Sequence, residues 1–277
     1  MDSVSNQLEQ VFHQLGMRTS VSLIILGVAL IACRVLPLCI MSPFLGGDQI
    51  DPQVKVGVGV LLSIVIFPAI EPRLGSLPIT ALPFIVLIMK EVFIGMSLAF
   101  IVSFVFEAAR IAGNLVDVSS GAQMAQVMAP MIQQQATLYS TYKMMVATVL
   151  FLTLNGHHVV IQTLGDSMLA LPIDKMPAFS HGMFPYWSII LRHFGDMLRV
   201  GLILAGPGMI ATFTTDLAMG MINRVATQLQ VFFVAMAIKP MVAAAMTFLV
   251  IYMILDRMQL EFGRMLLTLQ DAVRLLL

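Results

Sequence analysis

Six long apolar segments, most of them interrupted by a charge or a proline, constrain this chain more than any other feature of its sequence. They cover residues 21–40, 54–70, 79–106, 138–171, 200–221 and 231–255. A helix needs about 20 residues to cross the roughly 30 Å hydrocarbon core of a bilayer, and these segments reach or approach that length. The sequence therefore predicts an all-α integral membrane protein of about six apolar helical segments.

Composition supports the same interpretation. Of the 277 residues, 59% are hydrophobic and 11% are charged, and the mean hydropathy is +0.94. A soluble fold cannot cover so much apolar side chain, so lipid or an apolar partner must take the place of water. The 15 basic and 15 acidic residues balance, whereas a nucleic-acid-binding protein would carry a basic excess. We therefore expect membrane lipid, and no nucleic acid, among the partners.

Several ionisable residues lie inside or beside the apolar segments. They are Lys90, Glu107, Arg110, Asp117, Asp216 and Lys239. An ionised side chain at the centre of a membrane helix costs about 3 kcal/mol on insertion scales. Glu107 and Arg110 are three residues apart and can pair on one helix face. The remaining charges indicate either pairing with partner subunits or a polar transport pathway, and the sequence leaves both open.

The loops between the apolar segments are short and leave no room for a soluble domain. The longest polar stretch, residues 174–199, is expected to lie outside a span. Residues 256–277, which follow the last apolar segment, carry apolar side chains at intervals of three and four. This spacing predicts an amphipathic helix that lies on a surface or docks on a partner. We therefore expect one membrane-embedded helical domain over residues 1–255 and a C-terminal amphipathic helix over residues 256–277.

No sequence pattern indicates a catalytic, cofactor or metal site. The chain lacks the phosphate-binding, zinc-protease, serine-hydrolase and dinucleotide-binding patterns. His157 and His158 are adjacent, which places them about 100° apart on a helix, and no further ligand cluster accompanies them. A helix break or a polar contact between subunits is the favoured interpretation of this pair. A membrane-embedded enzyme is therefore disfavoured. A secondary transporter remains an alternative, because broken helices and intramembrane charges also occur there.

The segment 109–135 is unusual for a membrane protein. It is rich in small, amide and methionine side chains, and it ends in three consecutive glutamines. It has too little bulk for a good span and too little charge for an ordinary surface loop. Methionine is flexible and adapts to the surface it touches. A loop of this composition either closes a pore and yields to a passing chain, or simply connects two helices.

Four groups of short motifs occur in a specific order along the chain. They read AGNLVD at 112–117, LNGHH at 154–158, GLILA at 201–205, and QLQVF at 228–232 followed by AMAIK at 235–239. In order and spacing they resemble the FliR/SctT family, the export-apparatus subunits of flagellar and virulence type III secretion systems. The resemblance covers roughly residues 25–255.

The chain departs from the family pattern at a few positions. Thr227 stands where the family usually has a proline, and Gln230 stands where it has an asparagine. In the loop, Val127 and Ala129 replace an aromatic and an acidic residue that are common in flagellar members. These departures concern the detail of the loop. The run MAIK at 236–239 resembles the virulence branch more than the flagellar one.

The resemblance implies a non-enzymatic, cofactor-free subunit of an export gate in the bacterial inner membrane. Kinked helical hairpins would pack with SctR/FliP-like and SctS/FliQ-like subunits into a helical pore for unfolded secreted proteins. SctU/FlhB-like and SctV/FlhA-like proteins would be further partners. Energy for export would come from elsewhere in the machine.

The resemblance also implies roles for individual residues. A plug loop that keeps the pore closed would contain Met124, Val127, Met128, Pro130, Met131, Gln133, Gln134 and Gln135. Packing against sister subunits would involve Asn155, Gly156, His157, His158, Arg224, Gln228 and Lys239.

Overall fold

The computed structural model describes residues 21–45, 50–71, 81–122, 138–176, 183–226, 228 and 230–275. Its helices are α1 (Val21–Met41), α2 (Pro52–Ile70), α3 (Ala81–Ser120), α4 (Leu138–Thr153), α5 (Gly156–Ala170), α6 (Met183–Val225), α7 (Val231–Leu249) and α8 (Ile251–Arg274), with a short 3-10 helix, Pro43–Leu45, after α1. No strand occurs in these described ranges, so the prediction of an all-α protein is confirmed.

The helices match the expected number of apolar segments. Among the described residues, five helices are long and apolar enough to cross a membrane, and the broken pair α4–α5 makes six if it counts as one span. The prediction of about six apolar helical segments is therefore confirmed. However, α3 has 40 residues and α6 has 43, about twice the roughly 20 residues that a span requires.

The extra length of α3 comes from residues that lie beyond the third apolar segment of the sequence. Residues 109–120 continue the helix without a break, and Ala109, Ala112 and Val116 in this part are buried. Small side chains let helix backbones approach closely in membrane proteins. The low bulk of this segment therefore reflects tight helix packing up to Ser120, and not the start of a loop.

The extra length of α6 corrects a second expectation. Residues 183–199 were expected to lie outside a span, but they form the first part of α6. Tyr186 and Ile190 are buried there, and the Ser97 and Tyr186 hydroxyl groups are hydrogen-bonded. Polar residues between these apolar contacts lower the local hydropathy, although the segment remains a helix with one buried side.

The chain divides into two compact units. The first unit comprises the described parts of residues 1–103, 157–190 and 266–277, and the second comprises those of 104–156 and 191–265. In the first unit, α1 and α3 approach closely at Gly95, where an added Cβ would lie 2.3 Å from the carbonyl oxygen of Arg34. Ile31 and Ile94, on the same two helices, are buried.

The core of the second unit contains three buried aromatic rings. Phe106, Phe151 and Phe262 have ring centroids 5.2–5.3 Å apart in every pair, and each is at most 1% exposed. Phe262 comes from the amphipathic helix α8, and its neighbour Met258 is also buried. The chain itself therefore covers the apolar face of α8 in this unit, where the sequence indicates a membrane surface or a partner.

We expect Phe262→Ala to destabilise the protein strongly, because a fully buried aromatic truncation typically costs about 3–5 kcal/mol. Thermal unfolding of the purified protein in detergent measures the loss. Tyr252→Ala on the same helix is the matched control, since Tyr252 is 78% exposed and should change stability little. Equal losses in the two variants would contradict the internal burial of α8.

Candidate functional site

A cluster of buried charges joins α1, α3 and the end of α5 in the first unit. Arg34 and Glu91 are fully buried, and the Arg34 guanidinium donates to both oxygens of the Glu91 carboxylate. Its Nε donates to Oε2, and its Nη2 donates to Oε1 at a distance of 2.9 Å. The Lys90 ammonium lies 2.7 Å from the same Glu91 Oε1. One carboxylate thus holds two cations.

The two cations also satisfy main-chain carbonyls at the C-terminal end of α5. Arg34 donates to the carbonyls of Ser167 at 2.9 Å and Leu171 at 3.2 Å. Lys90 donates to three carbonyls in the turn that follows, Pro172–Lys175. Cations are favourable at a helix C-terminus, where carbonyls lack helical partners. The cluster therefore fixes the end of α5 without any other subunit.

A second buried polar group, which we call the polar junction, comprises Asp117, Tyr139, Ser140 and Lys143. Asp117 lies near the end of α3, and its carboxylate accepts hydrogen bonds from the backbone N–H groups of Tyr139 at 3.1 Å and Ser140 at 3.0 Å. These two donors belong to the first turn of α4, where N–H groups have no helical acceptor. A carboxylate there is also favourable to the positive end of the helix.

Lys143 and Tyr139 extend the polar junction to two further helices. The Lys143 ammonium donates to the carbonyls of Ala112 in α3, at 3.3 Å, and Leu204 in α6, at 3.0 Å. Pro207 lies close by on α6 and has no N–H to donate to the carbonyl of Ile203, so the helical hydrogen bonding is interrupted next to this contact. The Tyr139 hydroxyl donates to the carbonyl of Pro240 in α7. The start of α4 is thus bonded to three helices of the second unit.

Close backbone packing holds the junction in place. An added Cβ at Gly113 would lie 2.2 Å from Ser140 Cα, so only glycine allows α3 and α4 to meet there. An added Cβ at Gly208 would lie 2.8 Å from a methyl of Val116, which brings α6 against α3 beside Asp117. The residues AGNLVD at 112–117 therefore form one side of this packed contact.

The polar junction connects the helix before the proposed plug segment to the helix after it. Helix α3 ends at Ser120 and α4 begins at Leu138, and Asp117 bonds the two ends together. The candidate plug-loop residues Met124, Val127, Met128, Pro130, Met131, Gln133, Gln134 and Gln135 lie outside the described residues. The structure thus shows that the helices on the two sides of this segment meet at the polar junction in the second unit.

The remaining intramembrane charges also have partners within the chain. Lys239 in α7 is paired with Asp216 in α6, and Arg110 donates to Glu107 at 2.6 Å. Asp216 is nearly half exposed and Lys239 less so. The pair Glu107–Arg110 forms on one helix face as the sequence spacing predicts, and the pair Lys239–Asp216 supplies within one chain a counter-charge that the sequence leaves open.

The motif LNGHH marks the break between α4 and α5. Asn155 adopts a left-handed backbone with φ of +56°, a conformation that asparagine tolerates better than most residues. An added Cβ at Gly156 would lie 2.2 Å from the Phe151 ring, so the small residue permits the chain to turn against the aromatic cluster. His157 is half-buried and His158 is exposed. No group of three or more metal-binding side chains occurs among the described residues.

The other residues assigned to subunit packing lie on the surface of the chain. Arg224, near the end of α6, and Gln228, in the connection that follows, are both exposed. They are not brought together with the LNGHH motif by any contact that the structure records in the described ranges.

Sequence reasoning missed three of the residues that matter most here. Arg34 and Glu91 pair across 57 positions of sequence, and Lys143 reaches a carbonyl 61 positions away. Each is a charge inside an apolar run, which signals that a partner must exist. No spacing rule identifies that partner.

Replacing Asp117 with leucine removes both acceptors of the buried Tyr139 and Ser140 amides. We expect faster amide hydrogen exchange in the first turn of α4 and a loss of stability on the order of 1–3 kcal/mol for each donor left unpaired. Hydrogen exchange followed by mass spectrometry measures the local effect. Asp196→Leu, at an exposed position on α6, is the matched control. Unchanged exchange at the start of α4 in Asp117→Leu would show that the carboxylate does not hold the two helices.

Comparison with known proteins agrees with the motif order. The family model described as "Bacterial export proteins, family 1" matches residues 25–265. "Flagellar biosynthetic protein FliR" of Pectobacterium carotovorum is 32% identical over 206 residues, which are 74% of this chain and 76% of the relative. "Yop proteins translocation protein T" of Yersinia pestis is 26% identical over 247 residues, 89% of this chain and 90% of the relative.

A third relative, "Surface presentation of antigens protein SpaR" of Shigella flexneri, is 25% identical over 216 residues, 78% of this chain and 81% of the relative. The names of these relatives describe biosynthesis, translocation and surface presentation, and none is the name of an enzyme. The family match covers most of the chain, including all four groups of motifs. The chain therefore belongs to the bacterial export proteins, family 1, which is the FliR/SctT family that its motifs indicate.

Proposed function

We propose that this multi-pass membrane protein is a structural and gating subunit of the export gate of a type III secretion system. Family membership places it in an export apparatus. The observation that carries the gating role is the polar junction, because Asp117 binds the start of α4 to the end of α3. Any segment between these helices starts and ends at one rigid place, as a plug across a pore requires.

The composition of residues 123–137 suits a plug. A segment that closes a pore must fit against surfaces of variable shape, and it must move aside when an unfolded chain passes. Methionine side chains such as Met124, Met128 and Met131 are flexible and polarisable, and the glutamines at 133–135 offer hydrogen bonds to a backbone without adding charge. The segment thus combines an adaptable apolar part with an uncharged polar part.

The exposed surface of the chain supports assembly with other membrane subunits. Only 17% of the α7 span and 22% of the α2 span are buried. On α6 and α7, large apolar side chains such as Phe213, Met221 and Phe248 are exposed beside exposed polar residues such as Arg224. A lipid tail cannot satisfy such polar groups, whereas a neighbouring helix can. We infer that SctR/FliP-like and SctS/FliQ-like subunits cover this surface, and that SctU/FlhB-like and SctV/FlhA-like proteins join the assembly.

We place the assembly in the bacterial inner membrane, where a pore for secreted proteins must begin. The MAIK run at 236–239 favours the virulence branch over the flagellar one. The coverage of the Yersinia pestis translocation protein T, 89% of this chain, is in keeping with that preference. The flagellar relative from Pectobacterium carotovorum has the higher identity, 32%, so the branch rests on the motif.

The alternative of a secondary transporter loses its main support. That interpretation depends on intramembrane charges that lack partners and line a solute pathway. Lys90 is paired with Glu91 and Lys239 with Asp216, and Asp117 accepts two main-chain hydrogen bonds. Their positions are explained by helix packing, so a solute pathway is not needed to account for them.

Deleting residues 128–134 should open the assembled pore without preventing assembly, because the helices on both sides are held by the polar junction and not by the deleted residues. Conductance of the purified complex in planar bilayers measures the leak. The matched control replaces the same seven residues with a glycine-serine stretch of equal length, which should leak less than the deletion because the chain still fills space. A deletion complex that assembles and stays closed would disprove the plug.

A further inference from the structure

The ammonium group of Lys90 is surrounded by four oxygen atoms. It lies 3.1 Å from the carbonyl of Pro172, 3.1 Å from that of Ile173 and 2.8 Å from that of Lys175. The fourth oxygen is Glu91 Oε1, at 2.7 Å. Three neutral carbonyls and one carboxylate form a ligand set that suits a monovalent cation.

The carbonyls come from one short turn, not from a regular helix. Residues 171–176 follow the end of α5, and three of their carbonyl groups converge on the same point. Buried carbonyl groups that point at one another are unfavourable unless a donor or cation lies between them. The carbonyl of Pro172 also accepts a hydrogen bond from the Lys175 amide at 3.2 Å, and the Lys90 ammonium is the donor that all three carbonyls share.

Arg34 holds Glu91 and the end of α5 independently of Lys90. It donates to both oxygens of Glu91 and to the carbonyls of Ser167 and Leu171. Removing the Lys90 ammonium would leave the carboxylate and the end of α5 in place. The turn lies at the surface of the chain, since Lys175 and Met176 are exposed.

We propose that the turn Pro172–Lys175 and Glu91 form a cation cage, and that Lys90 is a positioning residue whose ammonium fills it as a tethered ligand. The chemical class that the cage accepts is a primary alkylammonium or a similarly small cation able to donate hydrogen bonds. Tethering gives the ammonium a high effective concentration at the site. This inference concerns the first unit alone and does not depend on the plug.

The test is chemical rescue of Lys90→Ala in the full-length protein. The variant retains Cβ and removes three carbons and the ammonium, which is the size of propylammonium. Thermal unfolding in detergent is measured with propylammonium, with tetramethylammonium and with 1-propanol. Propylammonium can donate hydrogen bonds to the cage, tetramethylammonium has charge but no N–H, and 1-propanol has the length but no charge.

We expect Lys90→Ala to unfold at a lower temperature than the wild-type protein and propylammonium to restore at least half of the difference in a saturable manner, since a ligand that binds only the native state stabilises it. The other two compounds should have no such effect. Lys239→Ala is the matched control, because the partner that the structure records for Lys239 is the half-exposed Asp216, and it should show no selective rescue.

A second variant separates the cage from general stability. Lys90→Met keeps an apolar stem of similar size, so it should be destabilised but insensitive to propylammonium. If Lys90→Ala does not accumulate, the proposal expects accumulation when propylammonium is present from expression through purification. Rescue that is absent, equal with tetramethylammonium, or equal in Lys239→Ala or Lys90→Met would overturn the proposal.

Discussion

The structure depends on neutralising charges inside apolar helices. A single ionised side chain in the centre of a membrane helix costs about 3 kcal/mol on insertion scales, and this chain contains several. Each of its two compact units solves the problem internally. In the first, Glu91 binds Arg34 and Lys90, which in turn satisfy carbonyls after α5. In the second, Asp117 accepts hydrogen bonds from the first turn of α4, and Lys143 donates to carbonyls of α3 and α6. These charged side chains thus provide hydrogen-bond partners for backbone groups that lipid could not satisfy.

This arrangement gives the chain fixed internal contacts while leaving much of its apolar surface uncovered. Its polar groups are largely satisfied within the units, so the helices keep defined ends and close contacts. Its apolar surface is not covered, since α7 and α2 expose most of their spans. Internal bonding defines the helix ends of the chain, and the uncovered surface is available to lipid and to the sister subunits that we propose.

Much of the fold could be predicted from the sequence, because apolar length and the order of short motifs are local properties. The extension of α3 over residues 109–120 could not, since its low bulk looks like a loop until a packing partner such as Gly208 is known. A helix break was one of the two interpretations that the sequence favoured for the LNGHH motif, and the structure adds the left-handed backbone of Asn155 at that break. The charge partners were the hardest to foresee. Arg34 meets Glu91 only because α1 and α3 touch at Gly95, a contact that no spacing along the chain encodes.

The central functional claim is that the segment between α3 and α4 lies in the pore of an assembled export gate. Site-specific photo-crosslinking from position 128 in the substrate-free complex tests it most directly. The account predicts crosslinks to pore-lining faces of the SctR/FliP-like subunits, and their loss when a secreted chain is trapped in transit. Crosslinks confined to lipid or to the outer surface of the complex, unchanged by a trapped substrate, would contradict it.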